Sequence, residues 1–246
     1  MNNLIKGEIY KLRKSKYSIG VIFLTLAISV YSKQGWDFRK AILSINRPID
    51  SIYGIESISY AFGQIRYTSF IFALLAGEFI AKDFKNSNIS KTFIYGYKRS
   101  NIIISKLIVV IPFFLLLKLL YLIILVAYAS KNNGFCEVLD FNTKLYLIRL
   151  IVVGMMYTIA VISIITMVAI IGKSYFYTIA LPFIFLMTYN SENIYLSYLM
   201  ANVAGMNAME VLATKSEVIK SIIVSTVTFI ITIGGSLLYI KYSDIK

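Results

Sequence analysis

The side chains able to do chemistry are few: 12 acids, one cysteine and no histidine among 246 residues. Histidine is the commonest metal ligand and the commonest general base, so its absence argues against most metal-dependent and hydrolytic reactions. Cys136, the single cysteine, has no partner for a disulfide within the chain. The long apolar runs contain no two neighbouring carboxylates, so they offer no paired acid and base. Gly172-Lys173-Ser174 looks like the end of a phosphate-binding loop. The full pattern needs glycine at 167, however, where Met167 stands, and the approach to it is apolar. The sequence therefore assigns no catalytic, cofactor-binding or metal residue, and with no nucleotide site encoded, any energy-driven process would draw on a partner chain or an ion gradient.

The elements that must position the remaining polar groups are membrane helices. The chain is 58% apolar and 15% charged, with mean hydropathy +0.74, against roughly 45–50% and about 25% in soluble domains. A helix crossing a bilayer needs about 20 apolar residues. Six runs qualify: 17–32, 57–80, 102–128, 145–171, 175–189 and 219–239. The first and fifth are short and require local thinning, snorkelling by Lys16 and Lys33, or a re-entrant path. Tyrosines at the ends of the runs, among them Tyr17, Tyr31, Tyr128, Tyr175 and Tyr239, mark the headgroup level. With the N-terminus inside, the inner segments hold 13 Lys and Arg and the outer ones 7, while eight of the 12 acids lie outside. Both termini are thus expected in the cytoplasm. The basic start and its apolar run also have the form of a cleaved signal peptide, but a second span follows closely and a retained helix is the expected form. The net charge of +13 falls in blocks between apolar runs and not on one basic face, which argues against nucleic acid. The richness in Lys, Ile, Asn and Tyr leans towards an AT-rich bacterial source.

Outside the bilayer three segments stand out. In residues 1–16, Leu4, Ile5, Ile9 and Leu12 share an arc of about 140° with Lys6, Lys11, Arg13 and Lys14 outside it, the pattern of a helix on the inner leaflet; Glu8 sits inside that arc and weakens it. In the loop 81–101, a polar run leads into Ile89–Tyr95 and stops at Gly96, the signature of a short helix capped by Ser87 or Asn88 and ended by a left-handed glycine. A docking helix and a solvated connector are both compatible with it. Residues 190–217 contain an apolar stretch, 196–204, expected as short external or re-entrant helices before the last span or as a contact for a partner helix.

Six spans, a surface helix and this loop together resemble the membrane subunit of type-two ABC transporters, particularly the permeases that export, or confer immunity to, lantibiotics and similar peptides. That family has an acid, an Asn-Gly-Thr-Ile tetrad, a helical Thr, an aromatic-Gly pair, then Arg and Lys. Here Asp83, Asn86, Ile89, Thr92, Tyr95-Gly96, Arg99 and Lys106 occupy those places, and Ser87 and Asn88 replace the usual Gly and Thr. The resemblance implies a single all-α permease domain over 1–246 that is not an enzyme. It also implies a second permease, identical or related, two cytoplasmic ATPase subunits carrying ATP and Mg, and an amphipathic peptide or lipid-like cargo. The loop would be the coupling helix, with Ile89, Thr92 and Phe93 on its docking face and Asp83, Gly96 and Arg99 framing it. The alternative is a six-span substrate-binding subunit of a vitamin-type importer, a class that lacks this loop motif.

Two cations sit in apolar surroundings, where charge is expensive and usually faces a cavity or a partner. Lys118 and Arg66 lie at similar depth on adjacent antiparallel spans, which points to a shared polar cavity along a substrate path. The competing readings are that Lys118 snorkels outward and that the second span starts near Tyr67, leaving Arg66 at the interface.

Overall fold

The computed structural model describes residues 1–45, 48–86, 96–180 and 200–242. The described residues are overwhelmingly helical and contain no strand. The chain opens with α1 (Asn2–Lys14) and α2 (Lys16–Leu43). Ser15, at ψ 125°, breaks the helix between them, caps α2 by accepting the Tyr17 amide, and bends the pair by 62°. α3 (Glu56–Gly63) and α4 (Ile65–Ala76) follow, then a π-helical segment (Gly77–Ala81) and the short α5 (Lys82–Lys85). α6 (Arg99–Asn133), α7 (Phe141–Gly172), α8 (Ala201–Ala208) and α9 (Lys215–Tyr242) complete the fold.

Among the described residues three helices, α6, α7 and α9, are long and apolar enough to cross a membrane, or four when the bent pair α1–α2 is counted as one span. The six-span expectation needs adjusting at three places. The first run does not stop at Ser32: α2 continues to Leu43, because the mixed-charge residues after Lys33 are adequate helix formers even where hydropathy ends a span. The second run is not one helix. Gln64, at ψ 31°, separates α3 from α4, and the π segment changes the register of the hydrogen bonds again. The fifth is helical over 175–180, and the rest of it lies outside the described residues.

α7 is the central post. It packs most extensively against α9 and also against α8, α4, α3 and the π segment, while α2 packs on α6. Close approaches here use glycine against aromatic rings. A Cβ on Gly154 would come within 2.5 Å of the Phe62 ring, and one on Gly205 within 2.4 Å of the Tyr157 ring. Hydroxyls bind the helices across their interfaces: Thr232 donates to Ser163 at 2.7 Å between α9 and α7, and Tyr121 to Ser32 at 2.9 Å between α6 and α2. Each such bond is worth about 0.6 kcal/mol in a bilayer. A smaller core at the end of α6 away from Lys106 gathers Trp36, Ile52, Tyr60, Tyr121 and Leu125.

Two caps fix the helices that begin at that end. The Asp140 carboxylate accepts the Thr143 amide at 2.7 Å and starts α7. Thr214 and Glu217 form a reciprocal capping box at the start of α9, with the Thr214 amide on Glu217 at 2.6 Å. The backbone and hydroxyl bonds from Thr214 hold the Glu217 carboxyl below its ordinary range. Gly172 closes α7 with Lys173 left-handed at φ 47°, so the phosphate-loop lookalike ends a helix where a true one begins it.

Candidate functional site

At the end of the molecule where α1, α5 and the start of α6 meet, four charges converge. α1 contributes Glu8 and Lys11, three residues apart on one face. α5 supplies Asp83 directly after the π segment, and α6 supplies Lys106 two turns into the helix. The Lys106 ammonium donates to both Glu8 oxygens at 3.1 and 3.0 Å, to the Asp83 carboxylate, and to the Phe79 carbonyl at 3.2 Å. Lys11 reaches Glu8 at 3.3 Å and Asp83 at 3.2 Å. Burial pulls the Lys11 ammonium down, but Glu8 and Asp83 outweigh it and its pKa is raised overall.

The balance explains why a lysine with 1% of its side chain exposed is tolerated there. An unpaired buried ammonium would cost several kcal/mol, whereas two carboxylates and a carbonyl meet its three protons and Lys11 offsets the second negative charge. It also explains Glu8. Its place inside the apolar arc of α1 looked like a flaw in an amphipathic helix, yet that face is the one turned to Lys106. Leu4 and Leu12 pack beside it against the core, while Ile9 remains half exposed, so only part of the stripe is covered by protein.

The cluster closes the base of the polar loop. α5 leads in and stops at Asn86. On the way out Gly96 has φ 82°, as the left-handed cap expects, a conformation that costs a residue with a Cβ about 1 kcal/mol. Arg99 is the first residue of α6. Ile89, Thr92 and Phe93, the expected docking face, lie outside the described residues. Beside the loop base a cleft of about 380 Å³ runs between Tyr10, Lys11 and Lys14 of α1 and Glu78, Lys82 and Asp83.

The two cations expected along a substrate path are not brought together. Arg66 is exposed in the first turn of α4. Lys118 has no exposed surface and does not snorkel. Its ammonium donates to the Ala61 carbonyl at 2.8 Å and to Thr68 Oγ1 at 3.4 Å, and lies over the rings of Tyr121 at 5.0 Å and Phe62 at 5.4 Å. The Tyr157 hydroxyl donates to the neighbouring Phe62 carbonyl. Ala61 and Phe62 belong to the last turn of α3, whose carbonyls lack partners within the helix and carry its negative dipole end. Lys118 and Tyr157 therefore cap the broken end of α3 in the buried interior of the bundle.

Three parts of this geometry escape the sequence reading: the pairing of Glu8 with Lys106, the break at Gln64, and the Thr214–Glu217 box. Each leaves a trace, respectively an acid on an apolar face, a Gly-Gln pair inside an apolar run, and a Thr-x-x-Glu spacing.

The model of a protein family described as ABC-2 family transporter protein matches residues 4–189 of the chain, a stretch that takes in the whole charge cluster, the loop and Lys118. No curated protein matches it.

Proposed function

The chain belongs to the ABC-2 family transporter proteins, and from that premise we propose that it is the export permease of an ATP-driven transporter for amphipathic peptides or lipid-like antimicrobials. As a member of that family it is a multi-pass membrane protein, the permease component of an ABC transporter, and not itself the catalytic subunit. The export reading goes further. ATP and Mg sit on two cytoplasmic ATPase subunits, which dock on the loop through Ile89, Thr92 and Phe93, with Asp83, Gly96 and Arg99 holding its base. A second permease, identical or related, completes the path. The transporter works in a bacterial cytoplasmic membrane with both termini inside, and it clears antimicrobials as an immunity or resistance device.

The observation that supports this most is the charge cluster, because it ties the base of the docking loop to the surface helix and to α6 at once. A push on the loop is thereby delivered to two elements as a rigid displacement, which is what alternating access requires. Lys118 and Arg66 are the proposed cationic contacts of the path. Lys118 is closed against Ala61 in this conformation, so its contact with cargo belongs to an opened state.

Purification from the native membrane in mild detergent, followed by identification of what accompanies the chain, tests the reading. An ATPase that cross-links within residues 83–99 is the expected result. A small ligand retained without any ATPase would favour the importer subunit instead.

A further inference from the structure

At the end of the molecule opposite the charge cluster, α7 and α9 leave a groove of about 450 Å³ open along their outer surface. Its walls are apolar, with Ile148 and Val152 on one side and Val218 and Ile222 on the other. The stretch it follows on α7, from Leu145 to Val153, is about 12 Å long at 1.5 Å per residue, the scale of an alkyl chain and not of a headgroup. Only two lining residues are polar, Arg149 and Lys215, and both are cations; among the described residues no acid lines the groove.

Neither cation forms an ion pair among the described residues, and Arg149 lies over the Tyr146 ring at 5.0 Å. Arg149 donates to the carbonyls of Glu210 at 2.7 Å and of Ala213 at 3.3 Å, which fixes the turn before α9. Its Nε is buried with no partner among the described residues. Lys215 is exposed at the first position of α9 and forms no ion pair among the described residues. Glu217, the nearest acid in sequence, is occupied by the Thr214 cap. An apolar slot with two cations at its mouth that no described acid neutralises is complementary to an amphiphile with one anionic head.

We propose that this groove holds one anionic phospholipid of the adjoining leaflet, its acyl chain lying along Ile148, Val152, Val218 and Ile222 and its phosphate between Lys215 and Arg149. The site is separate from the path assigned above and does not depend on the direction of transport. Lys215 supplies long-range attraction, and Arg149, already rigid on backbone carbonyls, supplies a preorganised partner.

Native mass spectrometry of the delipidated full chain, titrated with phosphatidylglycerol or phosphatidylcholine, tests it. The expected result is one retained phosphatidylglycerol, bound more tightly than phosphatidylcholine. Lys215→Gln, an exposed change that leaves the fold alone, should lower that preference about fivefold. Ile148→Trp, which fills the slot, should remove the bound lipid whatever its head. Equal retention of the two lipids, or a preference untouched by Lys215→Gln, would overturn the proposal. So would an Ile148→Trp variant that keeps its lipid but loses self-association, which would assign the groove to a second copy of the chain.

Discussion

Lys106 is the residue on which the loop base turns. It is nearly inaccessible and is the only one of its quartet that touches both acids and a backbone carbonyl. Removing one partner of a buried ion pair costs about 3–5 kcal/mol, because the remaining charges lose their compensation. Lys106→Met should therefore lower stability by about 3 kcal/mol, leaving Glu8 and Asp83 face to face. Glu8→Gln should cost less, since Asp83 still holds the ammonium. Thermal melting of the purified variants in one detergent checks the order, and a Lys106→Met protein as stable as wild type would remove the cluster from the account. Asp83 and Lys106 were both legible in the sequence as motif positions. Glu8 was not, because an acid on an apolar stripe has no meaning until its partner, 98 residues away, is placed beside it.

At the scale of elements, the apolar helices were readable and their interruptions were not. α6, α7 and α9 announce themselves by length and hydropathy, and the structure extends each by a few residues into its caps. The second span conceals its break, because one glutamine in an apolar run barely alters the average while it ends a helix. What holds that break is Lys118, and the energetics can go two ways. Burying an ammonium on neutral carbonyls is costly, yet withdrawing it orphans the Ala61 carbonyl, worth about 1–3 kcal/mol where water is excluded. The carbonyl should decide, since Tyr121 and Phe62 offer the charge two ring faces as well. Lys118→Met is thus expected to destabilise by about 1–3 kcal/mol, with amide exchange accelerated over residues 60–66, whereas Lys118→Arg should retain most of the protection. A gain in melting temperature with Lys118→Met would mean that the cost of burial dominates and that the break needs no cap.

The whole molecule is a helical bundle, with the charge cluster at one end and the α7–α9 groove at the other. Phe93→Asp places a charge on the proposed docking face. It should leave insertion and melting unchanged while abolishing transport-linked ATPase activity in reconstituted vesicles; normal stimulation of the ATPase by this variant would exclude docking at Phe93. The bond between Glu8 and Lys106 carries a further consequence, for the order in which the protein is made. At about 5–20 residues per second, some 5–20 s separate the synthesis of residue 8 from that of residue 106. Throughout that interval Glu8 has only Lys11, three residues along its own helix, to offset its charge. The N-terminus can take its final place only once the third apolar run is in position, so the segment made first must wait for one made about 100 residues later.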